Sequence, residues 1–290
     1  MSSQITTSFV EQYSSNVGLL AQQLGSKLRS SVDVESVKGK NAFFEQLSAT
    51  AAALRTSRHG DTPQIDTPHS RRRVSLADYE WADLIDDQDT VRQLINPTSA
   101  YAKNAAAAMA RSMDDVIITA FNASASTGVA GATSTALPSS QKTATSDQSD
   151  GLTIAKLLAA KYILDNNDID PSLKRYIVCG PKQIQDLLGQ TEVTSADFNT
   201  IHALALGQVN SYMGFEFIMS TRLNLDSTYT SDRLCFAYTE NAIKLGIGKD
   251  ITAKISERSD KSYATQVYYC MSLGATRMDE KSVVQIPCNE

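Results

Sequence analysis

The chain has 290 residues, of which 42% are hydrophobic and 20% charged, and its formal net charge is −5. That length supports a sizeable core in one large or two smaller domains, and the composition is ordinary for a soluble globular protein. The acidic total argues against a dedicated nucleic-acid binder, which carries a basic face, and no run approaches the ~18 apolar residues of a membrane span.

Residues 1–33 are rich in Ser, Thr and Gln, with Phe9, Tyr13, Val17, Leu20, Leu24 and Leu28 recurring at helical intervals. Two readings stand side by side: an arm that orders on a partner, or a first helix packed on its own domain. No apolar run precedes the first basic residue, Lys27, so no secretory signal is expected. Cys179, Cys235, Cys270 and Cys288 are widely spaced and form no CxxC, which reads as buried thiols in a reducing compartment.

Residues 34–80 read as a long two-stranded excursion. Val34 to Lys40 suggests a strand that Ala42-Phe43-Phe44 continues. The polar piece SRHGDTPQIDTPHSRRR reads as an exposed loop. Val74 and Leu76 then alternate in one phase, Tyr79 and Trp81 in the other, which suggests a bulge or twist. An isolated hairpin is marginally stable in water, so something outside the subunit is expected to cover it.

Charge is segregated here. Arg55, Arg58, Arg71, Arg72 and Arg73 precede Asp78, Glu80, Asp83, Asp86, Asp87 and Asp89. A solvated loop beside a solvated turn, subunit-to-subunit complementarity and phosphate contact all fit this pattern. The acidic cluster lacks the D-x-[DN]-x-[DN]-G loop and distant Glu of a calcium site, so no metal is expected.

The stretch from Trp81 to Gly128 organises the rest. Asn96-Pro97 opens a long helix that Thr98 or Ser99 can cap, and Tyr101, Ala105, Ala108, Met109, Val116, Ala120 and Phe121 recur along it. Gly128 is expected to stop it. About 25 residues at 1.5 Å each would span roughly 37 Å, the length of a spine. Residues 124–150 are low-complexity and read as a loop or loose hairpin.

Beyond Asp150, a helix capped by that residue or Thr153 carries Ile154, Leu157, Leu158 and Tyr162. Arg175 to Cys179 is a short apolar run and thus a buried strand, and Gly180-Pro181 opens a helix closed by Gly189. A further helix is expected over 195–206, then strands at 215–219, 234–238 and 242–247. A long hairpin follows over about 251–273, and a last strand at 283–286. The sum is an α+β protein.

Catalytic motifs are missing. There is no phosphate loop, no G-x-S-x-G and no H-E-x-x-H; Gly246-Ile-Gly248-Lys reads as a turn between strands. His59 and His69 lie in the expected exposed loop, and His202 is read as a helix boundary residue. No cofactor, metal or enzymatic activity is therefore expected.

The segment WADLIDDQD…INPTSAYAKNAAAAMARSMDDVIITAFN resembles the major capsid proteins of tailed bacteriophages. RYIVCGPKQIQDLL resembles their strand–proline–helix element, and GQVNSYMGFEFIMSTRL their segment ending in Ser-x-Arg-Leu. The resemblance runs from about residue 34 to the end. It implies the Hong Kong 97-type α+β capsid fold, built from an N-terminal arm, an extended β-hairpin loop, a peripheral domain with a spine helix and an axial α/β domain. The segments map as arm 1–33, extended loop 34–80, peripheral domain 81–150 and 241–290 with spine about 98–122, and axial domain 151–240. The alternative returns the last strand to the axial domain.

The implied function is a shell subunit that forms hexamers and pentamers of an icosahedral virion capsid around double-stranded DNA, assembled in the bacterial host cytoplasm. Implied partners are other copies of the chain, a portal protein, and separate scaffolding and decoration proteins where these are used. No membrane partner is implied. No motif justifies carrying the cross-link of some relatives over to Lys38, Lys40 or Asn41. The candidate inter-subunit contacts are Arg55, Arg58, Arg71, Arg72, Arg73, Trp81, Asp83, Asp86, Asp87 and Asp89. Reversing Arg71, Arg72 and Arg73 together is expected to block assembly and leave soluble monomers. The alternatives are an encapsulin-like compartment housing a cargo enzyme, and an enzyme with dispersed catalytic residues.

Overall fold

A computed structural model describes residues 22–85, 98–143, 150–190, 211–226 and 231–290. Its helices are α1 (Thr98–Asn122), α2 (Ile154–Asn166) and α3 (Pro181–Leu188). The early strands are β1 (Asp33–Ser36), β2 (Asn41–Leu47), β3 (His69–Ser75), β4 (Ala77–Ile85), β5 (Ala125–Thr127) and β6 (Thr133–Thr135). The later ones are β7 (Arg175–Cys179), β8 (Ser211–Tyr212), β9 (Phe215–Met219), β10 (Asp232–Thr239), β11 (Ile243–Arg258), β12 (Ala264–Arg277) and β13 (Val283–Asn289). They form three sheets, ordered β1-β11-β12-β4, β13-β10-β7-β9-β8 and β2-β3-β5-β6.

The chain divides into two compact units. The first holds Met1–Gly25, Tyr79–Arg111 and Ile251–Met271; the second holds Ser26–Asp78, Ser112–Asp250 and Ser272–Glu290. In the first, the Tyr268 hydroxyl donates to Glu80 Oε1 at 2.9 Å, and Arg111 donates to Gln22 Oε1 at 2.7 Å. The hairpin between β11 and β12 turns through Ser262 and Tyr263, both at positive φ.

The second unit is built around β7, whose five residues are all buried, as its near-continuous apolar run requires. It lies between β10, which is antiparallel to it, and β9, which is parallel. A parallel pair needs a crossover, and α3 lies in it, entered through Gly180 with Pro181 at its first position. The Thr153 side chain accepts from the Lys156 amide at 3.3 Å to cap α2, and Asp168 at φ 55° turns the chain beyond it. The helix packs on β13. Phe121, near the end of α1, stacks on Phe236 of β10 with ring centroids 5.0 Å apart and meets Tyr238 at 4.6 Å.

Several expectations need correction. The helix ends at Asn122, not at Gly128; Gly128 and Gly131, both at positive φ, instead shape the turn between β5 and β6. Its buried residues include Met113, Ile117 and Ile118, so the apolar face is wider than the expected series. The strand at 33–36 does not continue into Phe43: Gly39 at φ 99° turns the chain, and the two strands join different sheets. The phase change at Leu76 is likewise a switch between sheets rather than a bulge, since β3 and β4 are separate strands.

Gly246 and Gly248 lie inside one long strand, β11, instead of a turn. A Cβ on Gly246 would sit 2.9 Å from the Val37 side chain, and one on Gly248 would strike Leu76, so glycine permits close packing there. The last strand, β13, pairs along its length with β10, in the sheet that also holds β7. The side chains of the expected caps Thr98 and Ser99, and the expected helix at 195–206 with His202, lie outside what the structure describes.

Candidate inter-subunit surface

β2 and β3 pair antiparallel from Asn41 opposite Ser75 to Leu47 opposite His69. The chain between them, 48–68, is almost wholly exposed and holds Arg55 and Arg58, both exposed. Arg55 Nε donates to the nearby Ser57 carbonyl at 3.0 Å. This segment is the exposed end of the hairpin.

The three consecutive arginines are not at that end. They sit in β3, where the strand alternation sends them to different faces. Arg71 pairs with Glu45 across the strands at 2.9 Å and lies 5.7 Å from the Phe43 ring centre. Arg73 donates to the Ala130 carbonyl at 3.4 Å, in the turn of the β5–β6 hairpin. Arg72 turns inward and is buried: its NH2 donates to Glu280 at 2.8 and 2.6 Å and its Nε to the Met278 carbonyl at 3.1 Å.

Glu280 also lies 3.6 Å from Arg277 Nε. Arg277 is fully buried, donating NH1 to the carbonyls of Phe121 and Ala123 at 2.7 and 3.0 Å and NH2 to that of Thr135 at 3.1 Å. A cation here satisfies the free carbonyls of the helix end and meets the negative end of its dipole. Burial pulls the Arg277 guanidinium below its ordinary value; Glu280 opposes that pull and the charge of Arg72 adds to it. The hairpin root, the end of α1 and the end of β12 are therefore tied by one Arg–Glu–Arg cluster.

Beneath the root, Val37, Phe44 and Val74 form an apolar cluster, and Lys244 Nζ lies 4.8 Å over the Phe44 ring. The rigid root and the exposed end thus have different chemistry. The expectation that Arg71, Arg72 and Arg73 act alike at a contact is corrected for Arg72, whose reversal would break the root of the hairpin itself. Trp81 and Asp83 lie half-buried in β4, and Asp83 Oδ1 accepts from the Leu84 amide at 2.9 Å. Asp86, Asp87 and Asp89 lie outside the described residues.

A second anchor, at Asp114, escaped the sequence reading. Its buried carboxylate accepts from Ser26 Oγ at 2.5 Å and from the amides of Lys27 and Leu28 at 3.1 and 3.3 Å. Its neighbour Asp115 pairs with Arg222, whose guanidinium is raised above its ordinary value chiefly by that hydrogen bond. The signal was an acid at the i+1 position to Met113 and three before Ile117, on an otherwise apolar helix face. Arg277 and Glu280 left only their i,i+3 spacing, which is common on any surface.

An open cleft of about 400 Å³ beside the root is lined in part by Glu45, His69 and Arg71, where Arg71 and Glu45 neutralise each other. Among the described residues no group of His, Cys, Asp or Glu is arranged to hold a metal, and no helix is long and apolar enough to cross a membrane.

A search of curated protein sequences finds no match. Solved structures do match. The capsid of Cyanophage P-SCSP1u aligns over 99% of this chain and 94% of its own at a TM-score of 0.75 and 15% identity. A Mycobacterium phage Che8 structure aligns over 96% and 97% at 0.71 and 16% identity. The capsid of a native GTA particle covers 100% of both chains at 0.70 and 12% identity. At such identities the likeness establishes the fold: α+β, as in phage capsids. The family model for phage capsid protein matches residues 5–290, nearly the whole sequence, and the chain belongs to that family.

Proposed function

We propose that the protein is the major capsid protein of a tailed phage, assembling as hexamers and pentamers into a closed icosahedral shell around double-stranded DNA in the host cytoplasm. It acts through geometry, without catalysis. The observation that carries this reading is the hairpin of β2 and β3, whose root is locked inside the subunit while residues 48–68 are left in solvent. Ordering so long an exposed segment costs entropy that contacts with a neighbouring copy can offset.

In this reading residues 1–33 are the arm and 34–80 the extended loop. Residues 81–150 and 241–280 form the peripheral domain, and 151–240 with the last strand the axial domain. The net charge of −5 suits a shell that encloses DNA without gripping its phosphates. Portal, scaffolding and decoration proteins are its further expected partners.

Electron microscopy of the purified protein, with and without Arg55→Glu/Arg58→Glu, tests the proposal. Wild type is expected to give closed particles and the variant soluble subunits with an unchanged circular dichroism spectrum. A wild type that stays monomeric under assembly conditions overturns the shell reading. Normal particles from the variant overturn the role of the loop. Protein cargo instead of DNA inside particles isolated from their host would reassign the shell as an encapsulin-like compartment.

A further inference from the structure

α2 is apolar on two opposite faces. Leu157, Ala160 and Leu164 are fully buried against the subunit. On the other side Leu158 is 50% and Tyr162 69% exposed, in line with exposed Ala155. Helices that are hydrophobic all round belong in interiors, whereas a surface helix carries a polar outer stripe. The neighbouring helix α3 obeys that rule: it buries Leu187 and presents Lys182 and Gln185 to solvent. The outer stripe of α2 is therefore left without a cover by the described residues of one copy.

The same five-stranded sheet offers a complement. α2 packs on β13 at one margin, and β9 lies next to β8, the strand at the other margin. At the end of β9, Met219 is 46% exposed, and exposed Lys27 donates Nζ to its carbonyl at 2.8 Å. Beyond the end of α2 lie exposed Asp168 and Asp170, and the helix C-terminus adds partial negative charge. One margin is thus apolar with an acidic flank, the other apolar with a basic flank.

We infer that the outer face of α2, through Leu158 and Tyr162, docks on the β9 end of a second copy, through Met219 and Lys27. The two patches differ and sit at opposite margins, so the contact is head-to-tail, and repeated rotation closes it into a ring. The inference rests on the shell reading and adds which surfaces of this chain meet around each ring. It buries the apolar stripe and sets Lys27 against the acidic turn after the helix, which fixes register.

Paired cysteines in assembled particles test it. Tyr162→Cys and Met219→Cys are introduced together and singly with Cys270→Ser, since the other three native cysteines are buried. On mild oxidation the double variant is expected to give a ladder of disulfide-linked species beyond the dimer, and neither single variant to do so. Leu158→Cys with Lys27→Cys, read the same way, covers a double variant that fails to assemble. Particles without a ladder in either pair overturn the inference and leave the shell reading intact. Dimers from Tyr162→Cys alone overturn it in favour of helix-on-helix contact. Absence of particles from wild type overturns the shell reading and this inference with it. Independently, Leu158→Lys/Tyr162→Lys is expected to keep the wild-type melting profile and lower particle yield about tenfold or more, the scale of losing buried anchor residues. An unchanged yield refutes the contact.

Discussion

Glu280→Ala probes the cluster at the hairpin root. The wild-type carboxylate accepts from Arg72 through both oxygens and stands 3.6 Å from Arg277 Nε. The Arg277 side chain is 0% exposed and that of Arg72 is 9% exposed. Removing the carboxylate leaves two guanidiniums close together in a poorly solvated place. Stripping one partner from a buried ion pair costs about 3–5 kcal/mol, because the remaining charge is left uncompensated. At roughly 2–4 °C per kcal/mol for a domain of this size, the melting temperature should fall by about 6–20 °C.

Glu45→Ala is the internal control. It breaks the Arg71–Glu45 pair in the same sheet, where the side chains are 37% and 69% exposed. Solvent screening limits such a pair to about 0–1 kcal/mol. Both variants would be melted side by side, followed by far-ultraviolet circular dichroism. Arg72→Met/Glu280→Met should recover part of the loss, since a buried pair replaced by apolar groups of similar size is often near neutral. If Glu280→Ala melts with Glu45→Ala, the Arg–Glu–Arg cluster does not hold the hairpin root, and the reasoning fails.

Asp114→Ala should release the segment at residues 26–28 by leaving its hydroxyl and two amides without their acceptor. Trypsin should then cut at Lys27 and Arg29 faster than in wild type, for a loss of about 1–3 kcal/mol of local stability; unchanged digestion would show that the segment is held elsewhere. The Arg233 guanidinium, donating to both Glu290 oxygens at 2.5 and 2.6 Å, holds that carboxyl below its ordinary 4.5. Its folded value being depressed, the stability it contributes is present above about pH 4.5 and is lost as pH falls through the folded value. Glu290→Gln should therefore flatten the acid side of a stability–pH curve, and an unaltered acid limb would exclude the pair as a contributor. Burial, with a smaller contribution from Cys288, pushes the Cys179 thiol up to about 12, and a hydrogen bond with Cys288 followed by burial raises Cys235. Only Cys270, which is half-buried, should react with a thiol reagent before unfolding; rapid labelling of Cys179, Cys235 or Cys288 in the native protein would contradict the buried cluster.

Periodicity and punctuation are local properties, and where they are strong the sequence by itself sufficed. The helix of Thr98–Asn122 was legible from its spacing, β7 from a near-continuous apolar run, and the cap of α2 from Thr153 before an apolar repeat. The order of degenerate motifs carried the family resemblance. Partners were not legible, because they are set by residues distant in sequence. Arg72 looked like one member of an exposed basic triplet, yet strand alternation turns it inward onto Glu280, 208 residues away. Gly246 looked like a turn because glycine usually marks one, yet here it admits the side chains of Val37 and Val74 against a continuous strand. Asp114 drew no expectation from the sequence, yet it closes on the backbone of residues 27 and 28. The spine helix was thus determined by local spacing, while what it anchors, Ser26–Leu28 at Asp114 and the Arg277 guanidinium at its last carbonyls, was decided only when the tertiary fold brought those groups together.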